Sequence, residues 1–290
     1  RDSVKKIIIF KSDMLGDFIL FSPCLKIIKE NIKNAHVTLI CSEFNYQIAK
    51  NYEYVDKFII LKKNFIGLLL KNFKYFFLTK YEYLFQFDGK NRSYLISYFI
   101  KSKIKSTICF VKYKKIFKIN YKIRRPPLFL LKLFFNNFIF CDERYSAAEN
   151  AVSPIHYQAN YFNILEKLDF KITSKKNIFS LDKNFENIFK NFYKKYINRN
   201  YCIFHFDEKW DKYGKEDLNN CLKIINILSS KMKVLITTGI KPFKYLNNLE
   251  SLFSSFNYKN KNFIIKNNKE ISDVIILKNM PLDLLAFFIR

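Results

Sequence analysis

Short β-branched and aromatic runs alternate with helically spaced segments along most of this chain, and that alternation restricts its fold more than any other feature. Residues 6–10, 37–41, 58–61, 83–87 and 107–111 have the composition and length of strands. Residues 25–32 and 45–51 space their apolar side chains as helices do. The strand runs are nearly continuous in apolar residues, so both of their faces need cover. Strands buried on both sides and separated by helices form a parallel sheet with helices above and below. The expected class is α/β.

After this series come a basic, aromatic segment at 113–125 and Pro126-Pro127. A strongly apolar stretch follows at 128–140, and then an amphipathic helix at 157–168 with Phe162, Leu165 and Leu168 on its apolar side. Residues 171–182 are polar and read as a linker, which divides the chain into domains 1–172 and 173–290. The second domain resumes the alternation, with strands at 202–206, 234–238 and 263–265 and helices at 217–228, 243–253 and 282–289. Three strands fall short of the roughly five or six of a doubly wound sheet. This domain is therefore expected to be incomplete at Arg290, and the first residue is Arg1 rather than Met.

Lys and Arg number 51 against 25 Asp and Glu, a formal charge of +26. Such a field attracts phosphates on nucleic acid, on anionic lipid or on a nucleotide-sugar, and equally fits lysines scattered over solvated faces. None of the six cysteines forms a C-x-x-C pair or stands at metal-ligand spacing from a histidine, so no metal is expected and the thiols read as free and reduced. The longest apolar runs, 65–70 and 128–140, are shorter than the ~20 residues of a membrane-spanning helix. They suit a core or a membrane surface. No secretory signal is read at the start, and a cytoplasmic chain is expected.

Ligands of open parallel sheets bind at the carboxyl ends of the strands, where the winding reverses. That rule points to the turn after the first strand, Lys11-Ser12-Asp13-Met14-Leu15-Gly16-Asp17. Gly16 is expected to let the backbone bend tightly. Asp17 would stand at the lip of the cleft, fitting either a general base or a turn acid that caps a helix. Ser22-Pro23 is expected to open the helix that follows. Neither G-x-G-x-x-G nor G-x-x-x-x-G-K-[ST] occurs, which argues against a dinucleotide enzyme and a P-loop kinase. In the second domain, His205 to Lys212 ends a strand with polar residues able to hold a phosphate or to form a solvated loop. His156 opens the amphipathic helix, as a cleft residue or as a structural one.

In order, these segments resemble the heptosyltransferases of glycosyltransferase family 9. The resemblance rests on residues 6–17 with Ser22-Pro23-Cys24-Leu25, on 35–40, and on 51–56, where Tyr52 to Tyr54 replace the usual proline. It continues through Phe87-Asp88-Gly89-Lys90-Asn91-Arg92-Ser93, His156 to Leu168, and Phe204 to Lys212. It implies a GT-B fold, two Rossmann-like domains facing across a cleft. It also implies inverting, metal-independent transfer of a heptose from ADP-heptose to the inner core of lipopolysaccharide, without a cofactor. Asp17 takes the place of the catalytic base. Lys11, Ser12, Gly16, Lys90, Arg92 and His156 fall on the acceptor side, and His205 and Lys212 on the donor side. The family's D-x-G-x-x-H donor loop does not occur before Arg290, so weak donor binding is expected of these residues alone.

The implied acceptor is an anionic, lipid-linked saccharide. Lys112, Lys114, Lys115, Lys118, Lys122, Arg124 and Arg125, directly before the apolar stretch 128–140, suit docking on the inner leaflet of the cytoplasmic membrane. Two other readings stay open: a GT-B transferase using another nucleotide-sugar, and a basic nucleic-acid-binding protein, although no recognised module for nucleic acid occurs.

Overall fold

The computed structural model describes residues 3–62, 64–116, 119–142, 155–178, 181–206, 208–212, 214–238, 244–265 and 273–289. They form two compact units, Arg1–Ser180 and Leu181–Arg290.

The first unit is built on β1 (Lys5–Phe10), β2 (Ala35–Ser42), β3 (Lys57–Leu61), β4 (Lys80–Gln86), β5 (Lys101–Ile116), β6 (Ile119–Arg125) and β7 (Asn137–Asp142). Six of these strands run parallel in the order β3-β2-β1-β4-β5-β7, and β6 folds back antiparallel on the outer half of β5. The basic segment 113–125 therefore holds the end of β5 and all of β6, which pair antiparallel. In β1, Ile7, Ile8, Ile9 and Phe10 are all fully buried. Each such burial contributes about 1.5–3 kcal/mol, and only a sheet covered on both faces provides it four times in a row.

The two covers are distinct. Ile8, Phe10 and Ile40 share one core with α3 (Phe65–Lys71), a π-helical turn at Lys74–Leu78, α4 (Asn91–Phe99) and α5 (Leu128–Phe134). On the opposite face lie α1 (Leu15–Asn31) and α6 (Ile155–Glu166), which pack on each other. Phe21 of α1 meets Tyr161 of α6 edge-on at 5.7 Å and Phe87 at 5.3 Å. The shorter α2 (Glu43–Ala49) is capped by Ser42, whose hydroxyl accepts from the Asn45 amide at 3.1 Å.

One expectation for this unit needs correction. The first helix starts at Leu15, and Pro23 lies inside it. Proline there leaves the Ile19 carbonyl without its usual donor. The Ser22 hydroxyl supplies one at 2.7 Å, so the helix continues. The apolar stretch 128–140 holds two elements: α5 ends at Phe134, and β7 begins at Asn137. There the Asn136 side chain accepts from the Lys105 amide at 2.8 Å, and its own amide donates to the Lys105 carbonyl at 2.9 Å.

The second unit holds β8 (Tyr201–Phe206), β9 (Lys233–Thr238), β10 (Ser254–Lys259), β11 (Asn262–Ile265) and β12 (Val274–Lys278), in the order β11-β10-β12-β9-β8. All pairs are parallel except β10 with β11. The described residues form five strands here, where three were expected. β10, Ser-Ser-Phe-Asn-Tyr-Lys, carries no apolar run to betray it. It is a strand because β11 and β12 satisfy its backbone on both sides. The sheet is covered by α8 (Lys215–Ser229) and α9 (Leu246–Leu252) on one face, around Val234, Ile236, Val274 and Ile276. On the other lie α7 (Asn184–Phe192) and α10 (Leu282–Ile289), around Leu235, Ile275 and Leu277. Among the described residues, no helix is long and apolar enough to cross a membrane.

Phe21 is fully buried where α1, α6 and the end of β4 meet. Phe21→Ala should lower the unfolding free energy of the first unit by about 3–5 kcal/mol, read by denaturant titration with circular dichroism.

Candidate active site

β1 and β4 lie side by side with Phe10 opposite Gln86, but the chain leaves β1 towards β2 and leaves β4 towards β5. The two following loops part at this point, which opens the crevice used by ligands in doubly wound sheets. Residues 11–14 form one wall and 87–90 the other.

Asp88 ties the walls together. Its side chain is fully buried, and a carboxylate removed from water needs several donors to be tolerated. Oδ2 accepts from the Ser12 amide at 3.0 Å, the Ser12 hydroxyl at 2.6 Å and the Ser93 hydroxyl at 2.9 Å. Oδ1 accepts from the Gln86 side chain at 3.1 Å and the Lys90 amide at 3.2 Å. Lys90, exposed at the rim, reaches back with Nζ to the Ser12 carbonyl.

Lys11 is likewise fully buried. Its ammonium donates to Asp13 Oδ2 at 2.6 Å, the Tyr161 hydroxyl at 2.5 Å and the Phe87 carbonyl at 3.5 Å. It also lies 4.5 Å from the Tyr161 ring centroid. Charge, hydrogen bonds and the π face together replace the lost hydration. Asn45 holds the loop from behind, donating to the Asp13 carbonyl at 3.1 Å.

Asp13 is the unsettled member. Its side chain is 16% exposed, and Oδ1 is buried with no hydrogen-bond partner. Burial pushes the carboxyl up from 3.8 to about 6 against the pull of Lys11, and the nearby charges of Asp88 and Asp17 push the same way.

Asp17 lies half-exposed in the first turn of α1, which has Met14 at its N-cap and no side-chain cap. An acid in a first helical turn is favoured by the helix dipole. Gly16 makes no tight bend. It sits in the helix at ordinary φ, and a Cβ added there would meet nothing within 4 Å. The glycine leaves open space beside Asp17 instead.

The structure thus brings Lys11, Ser12 and Lys90 into one network, with Gly16 and Asp17 on the helix that rises from the same turn. Arg92 turns elsewhere, donating from Nη1 to the Lys62 carbonyl at 2.7 Å. His156 stands in the first turn of α6, the helix that supplies Tyr161, and its side chain lies outside the described residues. In the second unit His205 is exposed at the end of β8, with Nδ1 2.9 Å from the Thr237 hydroxyl. Lys212 is exposed at the end of the 3-10 turn Glu208–Lys212.

Sequence reasoning missed Asp13, Asp88, Ser93 and Tyr161 as site residues. The rule that drew attention to the carboxyl end of β1 applies equally to β4, and would have found Asp88. Tyr161 had no local signal. Among the described residues, no group of three or more His, Cys, Asp or Glu could hold a metal ion. Burial raises the thiols of Cys24 and Cys41 far from reactivity at neutral pH.

No family model and no curated protein matches the chain. Among solved structures it is similar to a family 9 glycosyl transferase from Veillonella parvula, at 14% identity over 99% of this chain and 74% of that one, with a TM-score of 0.63. The E. coli heptosyltransferase WaaC with ADP is 14% identical over 97% of this chain and 77% of its own, with a TM-score of 0.58. E. coli ADP-heptose lipopolysaccharide heptosyltransferase II is 10% identical over 99% and 76%, with a TM-score of 0.56. These likenesses establish the fold: the chain has the α/β architecture of the GT-B glycosyltransferases, with a Rossmann-like sheet in each unit.

Asp88→Ala should cost about 3–5 kcal/mol in denaturant unfolding, because it leaves several buried donors unanswered. Asp13 titrates higher in the folded chain than the 3.8 of an unfolded one, so the folded state binds the extra proton. The stability this contributes is fully present below about pH 4 and is lost as the pH rises through about 6. The melting temperature of the native chain, taken relative to Asp13→Asn, should therefore fall between about pH 4 and pH 7.

Proposed function

We propose that this chain is a glycosyltransferase that moves a sugar from a nucleotide-sugar to an acceptor hydroxyl, with Asp17 as the general base. The observation that carries the reading is a half-exposed carboxylate on the first turn of α1, the helix that follows the switch-point loop whose Lys11, Ser12 and Asp13 belong to a buried, hydrogen-bonded charge network. The fold shared with family 9 transferases supports it.

In the proposed reaction, Asp17 takes the proton of the acceptor hydroxyl as that oxygen attacks the anomeric carbon. The bond from the anomeric carbon to the donor phosphate breaks, and its electron pair leaves on the nucleoside diphosphate. A single displacement from the opposite face inverts the anomeric centre. The leaving diphosphate gains charge, which calls for cations near it. Lys212 and His205 at the carboxyl end of β8 are proposed for that role.

At the finer level we propose an ADP-linked heptose as donor and the lipopolysaccharide inner core as acceptor, by likeness to proteins named for that chemistry. The acceptor would then be an anionic saccharide carried on lipid, reached at the inner leaflet of the cytoplasmic membrane. Lys90 and Ser12, on the two walls of the crevice, are proposed to meet it. The space beside Gly16 suits the approach of a sugar to Asp17.

Release of nucleoside diphosphate from a panel of nucleotide-sugars, with a delipidated core oligosaccharide as acceptor, tests the donor class. Asp17→Asn should lower kcat by about 10²–10⁴-fold with the melting temperature unchanged. A variant as active as the native chain would remove Asp17 from the chemistry.

A further inference from the structure

The helices that cover one face of the first sheet are apolar on both of their sides. α3, the π-helical turn, α4 and α5 bury Leu68, Phe76, Tyr94, Ile96 and Leu131 in one core. Tyr98 stacks on Phe134 at 4.5 Å and joins α4 to α5. A surface helix ordinarily turns polar side chains outward. Here Ile66, Leu70, Leu78, Phe99, Phe129 and Leu133 are each 61–70% exposed.

The charge on these elements is equally one-sided. Residues 62–141 hold eighteen Lys and Arg and only two acids, Glu82 and Asp88. Asp88 is buried in its network, and Glu82 pairs with Lys103 at 2.8 Å. Lys71, Lys74 and Lys132 are exposed beside the apolar side chains. An open groove of about 330 Å³ runs between α4 and α5, lined by Leu95, Tyr98, Pro127 and Leu130 with Arg125 beside them.

We propose that this helical face docks the chain on an anionic lipid bilayer, the apolar side chains entering the boundary between headgroups and acyl chains while the lysines and Arg125 meet lipid phosphates. Helices this short cannot cross a bilayer, but they can lie in its interface. Two features single out this occupant. A nucleic acid would satisfy the cations and leave the leucines and phenylalanines in water. A second copy of the same face would bury the apolar side chains but bring like charges together. An anionic lipid surface answers both. The inference deepens the proposed function, resting on its lipid-borne acceptor, and extends the docking surface from residues 112–140 to α3, the π-helical turn and α4.

The test is co-sedimentation with vesicles of phosphatidylcholine alone and of phosphatidylcholine with phosphatidylglycerol, with no sugar present. The chain should bind the anionic vesicles more than about tenfold tighter, and added salt should weaken that binding. Leu70→Glu with Leu133→Glu, both on exposed positions, should abolish vesicle binding and leave the melting temperature and the turnover of delipidated acceptor unchanged. Equal binding to both vesicles would overturn the proposal. So would undiminished binding by the double variant, or a chain dimer in size-exclusion chromatography that the double variant dissociates. Loss of nucleotide release with vesicle binding intact would instead strike the transferase reading and leave the docking face standing.

Discussion

A carboxylate buried at the junction of two diverging loops is the constraint around which the first unit is arranged. Asp88 cannot remain out of water unless donors surround it, and the donors come from both walls of the crevice. Ser12 follows β1, whereas Gln86, Lys90 and Ser93 belong to β4 and the segment after it. The hydrogen bonds therefore hold the mouth of the sheet at a set width. Moving either loop would strand a charge, a cost far above that of an ordinary loop displacement. The rigidity lies in the loop that leads into the helix turn carrying Asp17.

The same cluster is unbalanced in charge, and this matters for its chemistry. Asp13 pairs with the buried cation Lys11, and the charges of Asp88 and Asp17 also act on Asp13. Burial pushes one carboxyl up most strongly, and the charges of its acidic neighbours add to this against the pull of Lys11. That carboxyl is Asp13's, with one oxygen on Lys11 and the other unanswered. Asp88 is instead held by its donors, and Asp17 stands half-exposed in the first helical turn. Residues of one type in one turn thus come to play different parts.

The chain's excess of basic residues also resolves into place. In the first unit they border a helical layer with apolar side chains on its outside and scarcely a carboxylate. Charge and hydropathy, read separately, each allowed several partners. Their coincidence on one face is a property of the folded unit, because the layer is assembled from segments tens of residues apart.

Elements with a strong local pattern were legible in the sequence. The β-branched run of β1, the apolar runs of β2 and β3 and the helical spacing of α6 depend on neighbours a few residues away, so their types could be read directly. So could the position of the turn after β1, which holds Lys11 and Ser12, because strand ends follow from strand patterns. The elements that failed were those whose stability comes from outside themselves. β10 is a strand through its partners, and Pro23 is tolerated through the Ser22 hydroxyl. The site's connections lie in the same class. Ser12 finds Asp88 76 positions away and Lys11 finds Tyr161 150 positions away, since β4 inserts beside β1 and α6 packs on α1. Periodicity, by itself, determined the type of the strongly patterned segments, because it is written within a single turn or pleat. Which loops meet, and hence which charges share a cavity, only the tertiary structure decided, because sheet order is set by the burial of many distant side chains at once.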